Sequence, residues 1–396
     1  MKMKPLFRVS LCALAFSAGS VPVAKAGGMF GGGTTLDTSY CRFNPPRQTV
    51  VYVDDTDVVR NNVEWVKTLL AKLQQTLMPG ERTTVVQLSP AHGQSKEIWS
   101  GCWPNVTTDQ AKKLASESHF FSGNPMDSLK EQQGFFSRDF GKAITTIYNT
   151  SARTPADVEI DPAKPPKKSI VRSLASDGAR YSSARGSIRA ILYSDMAENS
   201  ELGDVFVTPI PNTLDFGEKL GALLHRSVFY VFGVGNTIKD DGKTSDDIRK
   251  FWNEAFQSMA VNIGGFGSDL GITNAIPVHG ATFEVTLKEG AQDLHGHMFL
   301  LTDRDGQLID SWIGITRLRT VVINGNLHCA SDTSQCSLTA NTGSPLVTEG
   351  RNSETLSMKQ SGSASLFNGG SSMQGTLGVP GSSVDLPISA TTMTDE

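Results

Sequence analysis

Apolar positions follow two periods up to about residue 275 and a single one after it. Residues 49–53 (TVVYV) form a short apolar, β-branched run that stops at Asp54-Asp55-Thr56-Asp57. Val63, Val66, Leu69, Leu70, Leu73 and Leu77 then recur at three- and four-residue spacing until Pro79-Gly80. The pattern predicts a strand, an acidic loop and a helix. Further strands are expected at 84–88 and at 97–103, the latter short and antiparallel. Helical stretches follow at 109–118 and 137–148, and another starts near Ser169 with Ile170, Val171, Leu174 and Ala175 on one face. The strands 188–193 (IRAILY) and 228–234 (VFYVFGV) are interleaved with helices at 216–225 and 246–259. Strands alternating with helices predict right-handed crossovers and an α/β fold with a doubly wound, mostly parallel sheet.

From Thr282 onward the runs TFEVTL, HMFLLTD, QLIDSWI, RTVVING and SQCSLTA alternate with period two, and Asp305-Gly306 and Asn324-Gly325 read as turns. A C-terminal all-β domain is expected, sandwich-like or a partial barrel. The last 57 residues hold 26 Gly, Ser or Thr, so the end of the chain reads as solvated. The expected organisation is 1–26 signal peptide, 27–47 flexible N-terminal arm, 48–275 α/β domain, 276–379 all-β domain and 380–396 disordered tail.

The first segment changes the charge. Lys2, Lys4 and Arg8 precede an apolar run over 9–16, and Ala24-Lys25-Ala26 supplies a small-x-small cleavage site. The run is too short for a transmembrane helix, and no later one is long enough. Without 1–26, 36 Lys+Arg become 32 against 40 Asp+Glu, and the net charge moves from −4 to −8, which argues against a nucleic-acid partner. Export to the periplasm or cell surface places Cys41, Cys102, Cys329 and Cys336 where disulfides form. The turn-like residues between Cys329 and Cys336 favour a local Cys329–Cys336 bridge, which leaves Cys41–Cys102 to cross the first domain.

Two strands deliver acids to one sheet edge: VYVDDTD at 51–57 and ILYSDMAENS at 191–200. Carboxylate and hydroxyl oxygens together suit a hard divalent cation. With these motifs in order, residues 48–262 resemble a von Willebrand factor A-type domain, a doubly wound fold that often binds metal at its top edge. The resemblance implies metal ligands at Asp54, Thr56, Ser169 and Asp195, Mg²⁺ or Mn²⁺ as the ion, and a protein partner whose carboxylate completes the shell. Where the family has a Ser at the third position of the first loop, this chain has Val58, with Asp57 beside it. The plain alternative is that these groups only cap the helices that follow.

The expected function is therefore an exported protein-binding module in a cell-envelope assembly, such as a secretion or conjugation apparatus, without enzymatic activity and with oligomeric state open. Two alternatives stand beside it. Residues 55–59 also fit the loop of haloacid dehalogenase-like phosphatases, with Asp55 as nucleophile, Asp57 as acid, Ser194 on the second motif and Asp240-Asp241 binding Mg²⁺. The other alternative is a structural envelope protein without metal. His295 and His297 share one strand face and read as solvated, and Trp99, Trp103, Trp252 and Trp312 read as core anchors.

Overall fold

The computed structural model describes residues 35–107, 125–183, 186–207, 226–239, 243–315, 321–330, 335–343, 354–362, 365–367, 369–378 and 385–393, with 110, 112, 216, 220 and 224. The expected signal peptide, most of the helices at 109–118 and 216–225, and Asp240-Asp241 lie outside these residues.

β1 (Arg47–Asp54) is buried along nearly its whole length, as a central parallel strand covered on both faces must be. Helix α1 (Glu64–Thr76) leads to β2 (Arg82–Ser89), which pairs with β1 in parallel, and β3 (Gln94–Cys102) returns antiparallel to β2. After α2 (Pro125–Ser151) and α3 (Ile170–Ala175), β4 (Ser187–Tyr193) adds to the other side of β1. β5 (Ser227–Phe232), α4 (Lys243–Ser258) and β6 (Asn262–Phe266) complete a six-stranded sheet of order β3-β2-β1-β4-β5-β6. The order reverses between β1 and β4, where a doubly wound sheet opens its crevice at the C-terminal strand ends.

Successive residues of β1 serve opposite faces. Val51 and Val53 pack with Leu69 and Leu73 of α1 and Phe136, Phe140 and Ile144 of α2. Val50 and Tyr52 pack with Ile170 and Leu174 of α3 and Phe251, Trp252 and Phe256 of α4. Pro79-Gly80 ends the α1 segment as read from sequence: Gly80 has φ +72°, and a Cβ there would lie 2.5 Å from the Tyr40 carbonyl oxygen.

The all-β domain is present, with β7 (His279–Glu289), β8 (Gln292–Thr302), β9 (Trp312–Ile315), β10 (Val321–His328), β11 (Ser337–Gly343), β12 (Thr355–Ser361), β13 (Ser372–Gly378) and β14 (Leu386–Thr392). Of the two forms expected, the barrel is the one observed: these eight antiparallel strands close on themselves because β14 pairs back onto β7. Pairing the first strand with the last removes both free edges. Three local expectations are corrected. Leu386–Thr392, placed in the disordered tail, is the closing strand, with Ile388 and Ala390 buried among apolar side chains that include Val285, Leu287 and Met373. Asn324-Gly325, read as a turn, lies within β10, where a Cβ on Gly325 would meet the Thr339 carbonyl oxygen at 2.2 Å. Part of the expected flexible arm is fastened: Thr38–Phe43 is a 3-10 helix, Tyr40 is buried, and Cys41 is bonded to Cys102. Cys329 and Cys336 are bonded as well.

The two domains share a core. Phe299, Leu301 and Trp312 of the barrel pack into the α1/α2 side of the sheet, and Trp312 Nε1 donates to Ser187 Oγ at 3.0 Å. No helix among the described residues is long and apolar enough to cross a membrane.

Candidate functional site

β1 ends at Asp54 and β4 at Tyr193, so parallel pairing of the two strands brings the loops after them side by side at one sheet edge. Asp54, Asp57 and Asp195 are all buried there, each with an oxygen within 4.8 Å of the others, a donor set that could hold a metal ion. A fourth residue lies among them. Lys168 Nζ is 2.9 Å from Asp54 Oδ2, 2.7 Å from Asp57 Oδ1 and 2.6 Å from Asp195 Oδ1, with its side chain 3% exposed.

The backbone delivers that lysine by a set of specific bonds. Lys168 exchanges both backbone hydrogen bonds with Asn199, at 2.9 and 2.8 Å, and Ser169 N donates to the Pro90 carbonyl at 2.9 Å. The Asn199 amide donates to the carbonyls of Pro165 and Pro166, both at 3.0 Å, and accepts from Lys167 Nζ. The proline-bearing loop is thus clamped against the β4 loop, and its last side chain is directed inward. α3 then starts without help from Ser169. Glu198 accepts from Ile170 N at 2.7 Å and Val171 N at 3.0 Å, a carboxylate at the positive end of a helix.

The hydroxyls serve the acids. Thr56 Oγ1 donates to Asp54 Oδ1 at 2.6 Å, Ser194 Oγ to Asp54 Oδ2 at 2.8 Å, and Thr237 Oγ1 to Asp195 Oδ2. Backbone amides add to this: Asp195 N donates to Asp57 Oδ2 at 2.6 Å and Ala197 N to Asp195 Oδ1 at 2.9 Å. Met196 is held in a left-handed conformation (φ 63°), with its carbonyl accepting from Trp252 Nε1 at 2.8 Å.

Burial raises the Asp57 pKa well above the carboxylate range, and the charges of Asp195 and Asp54 add to the shift. Burial acts the same way on Asp195, but the Lys168 charge and the donors from Lys168, Thr237 and Ala197 outweigh it and lower its pKa. Desolvation works against the Lys168 ammonium, yet the three carboxylates hold its pKa well above the ordinary value. Burial pushes Glu198 up to about 7, with partial relief from the hydrogen bonds of Ser200, Val171 and Ile170.

Of the four residues expected as metal ligands, Asp54, Thr56 and Asp195 converge. Ser169 does not join them: its hydroxyl is buried and has no hydrogen-bond partner. Val58 packs in the core on the α1/α2 side, so the third acidic wall comes from Asp57, one residue earlier. Lys168 is the residue that sequence reading missed. Its signal was faint: a lysine immediately before the expected loop hydroxyl, at the end of the proline-bearing loop.

These residues do not fit a divalent cation as they are folded. Mg²⁺ and Ca²⁺ draw oxygens to about 2.0–2.6 Å, whereas the carboxylates stand at hydrogen-bonding distance around an ammonium. A divalent ion would have to displace a buried charge of the same sign.

A second buried ionic cluster lies at the opposite, N-terminal end of the sheet. Arg47 pairs with Glu81 through Nε at 3.0 Å and Nη2 at 2.8 Å, and with Asp310 of the barrel through Nη1 at 2.6 Å. Arg189 donates to Thr49 Oγ1 at 3.0 Å and Thr76 Oγ1 at 2.8 Å and lies 3.6 Å from Glu81. Tyr230 OH donates to Asp310 Oδ1.

No family model matches the chain, and no curated protein matches it in sequence. Among solved structures it is similar to the ArnB paralog VWA2 from Sulfolobus acidocaldarius, at 9% identity and TM-score 0.33 over 88% of this chain and 66% of that one. It is also similar to the human COPII-coat protein Sec24c, at 10% identity and TM-score 0.31 over 90% of this chain and 45% of that one. The chain thus spans under two thirds of the length of either. The likenesses are too slight to bear on fold or function, which rest on the strand order and the site.

Proposed function

We propose that the chain is an exported binding protein that docks a protein partner on the C-terminal edge of its α/β sheet and works without catalysis in a cell-envelope assembly, periplasmic or at the cell surface. The observation that carries this reading is the closure of the acidic cluster on itself. Asp54, Asp57 and Asp195 are buried, and their oxygens are taken by Lys168, by hydroxyls and by backbone amides. No group there is exposed for nucleophilic attack or proton transfer, and the cluster's effect is to hold neighbouring loops in one shape. Those loops present exposed Arg60, Asn61 and Asn62 on one side and Ala163, Lys164 and Lys167 on the other.

The envelope setting rests on the N-terminal export pattern and on two disulfides, which persist in oxidising compartments. The Mg²⁺ or Mn²⁺ that the A-type resemblance implies is not required in this reading, because Lys168 supplies the positive charge. The phosphatase alternative draws no support from the geometry, since Asp55 and Asp57 serve different partners. Asp55 accepts from Gln87 at 2.8 Å and Ser89 at 2.6 Å, while Asp57 faces Lys168.

Photo-crosslinking in the native envelope tests the proposal, with a crosslinking residue at Asn61, at Lys164 or at Lys288 on the barrel. A protein adduct common to Asn61 and Lys164 and lacking at Lys288 is expected. Adducts confined to Lys288 would move the docking surface to the barrel, and no adduct at any position would leave a purely structural protein.

A further inference from the structure

An acidic edge that resembles a divalent-cation site has a lysine at its centre. We propose that Lys168 is a permanent, chain-borne substitute for that cation, and that removing its ammonium turns Asp54, Asp57 and Asp195 into a site for Mg²⁺ or Mn²⁺. The inference does not depend on the identity or existence of a protein partner.

Three observations lead to it. First, Nζ makes one contact of 2.6–2.9 Å with each of the three carboxylates, and an ammonium has three N–H groups to give. Second, the cluster is acid-rich. One ammonium stands against three carboxylates, although a lone lysine pairs fully with one, and the surplus is what a doubly charged ion would neutralise. Third, the Ser169 hydroxyl is buried without a partner. Buried hydroxyls are nearly always hydrogen-bonded, and this one belongs to the residue expected to supply the loop ligand. With Lys168, the residue before it, reaching the carboxylates, Ser169 is left with nothing to bind.

The substitution has a mechanical consequence. A bound divalent ion can dissociate, whereas a lysine whose backbone is paired with Asn199, and whose neighbour Ser169 is bonded to Pro90, cannot. The loops after β1 and β4 are then joined to the loop before α3 in every folded molecule, whatever the metal content of the compartment.

The test uses the full chain as wild type, Asp195→Asn, Lys168→Ala and Lys168→Ala/Asp195→Asn. Thermal unfolding is followed in EDTA and in millimolar Mg²⁺ or Mn²⁺, and free Mn²⁺ is read by electron paramagnetic resonance. Wild type should unfold at the same temperature in all three solutions and bind no Mn²⁺. In EDTA, Lys168→Ala should unfold ~10 °C lower, as expected when a buried charge partner is removed. Either metal should restore most of that loss, with one Mn²⁺ bound, and the double variant should show no restoration. If Lys168→Ala does not fold in EDTA, recovery on refolding with Mn²⁺ supports the proposal and failure to recover overturns it. Two other results overturn it: Mn²⁺ binding by wild type that Asp195→Asn abolishes, or a folded Lys168→Ala protein that responds to neither ion.

Discussion

The two ends of the α/β sheet each carry a buried ionic cluster, and they differ in charge balance and in what they connect. At the N-terminal end two guanidinium groups face Glu81 and Asp310, one acid for each base, and the cluster joins β1, β4 and the segment before β2 to the barrel. At the C-terminal end three acids face one ammonium, and every member belongs to the α/β domain. Burial is equally complete at both, so neither is a surface ion pair of small effect. The balanced cluster fastens two domains through a forked guanidinium, whose planar donors match carboxylates on two sides. The unbalanced one keeps the charge pattern of a cation site and fills it from the chain.

The comparison is tested most severely at Arg47. Replacing it with Met leaves Glu81 and Asp310 buried without their main counter-charge. We expect a loss of about 3–5 kcal/mol and, in calorimetry, separation of a single unfolding transition into two; one unsplit transition would show that the apolar junction at Trp312 holds the domains alone.

Glu198→Gln is the next largest. The folded state raises Glu198 from 4.5 to about 7, so between these values folded protein keeps a proton that unfolded chain has released. Stability from this group therefore falls as pH rises through that window, by roughly 3 kcal/mol in all, and is flat above it. Urea unfolding at intervals from pH 4.5 to 8 should show that slope in wild type and a flatter profile in the variant. Equal slopes would mean that Glu198 stays ionised throughout.

At the acidic cluster itself, Asp195→Asn and Asp57→Asn should behave unequally. Asp195, whose pKa is lowered, is the ionised partner of Lys168 and also accepts from Thr237 and Ala197. Its neutralisation should cost about 2 kcal/mol, in line with loss of hydrogen bonds to a charged group. Asp57, whose pKa is raised by burial and by the charges of Asp195 and Asp54, is the acid whose ionised form the cluster favours least. Asparagine there should change stability by under ~1 kcal/mol, which is the smallest effect predicted. Urea titrations of both at neutral pH decide this, and equal losses would mean that the two acids share the charge evenly.

Much of this molecule was legible in local pattern. The apolar runs at 49–53 and 188–193 are β1 and β4, and the acids that end or follow them meet as expected. The closing strand was not legible. In Leu386–Thr392 alternation is carried by Leu386, Ile388 and Ala390 alone, in a segment whose Ser, Thr and Pro content mimics a tail. Nor was Asn324-Gly325, since the same dipeptide serves a turn or, as here, a close approach of two strands. Ser169 was favoured as the ligand because a hydroxyl matched the resemblance, and the chemical type of one residue does not reveal which of two adjacent side chains turns inward.

The sequence by itself determined the α/β pattern, the change to period two near residue 276, and the two strand-end motifs that supply acids. Period and residue type are local properties, readable within a few turns of chain. Only the tertiary structure decided that a lysine 111 residues from Asp57 and 27 from Asp195 would enter their midst, and that Arg47 would reach Asp310 across 263 residues. A buried charge must find its counter-charge wherever folding brings one within about 3 Å, and sequence separation sets no limit on that search.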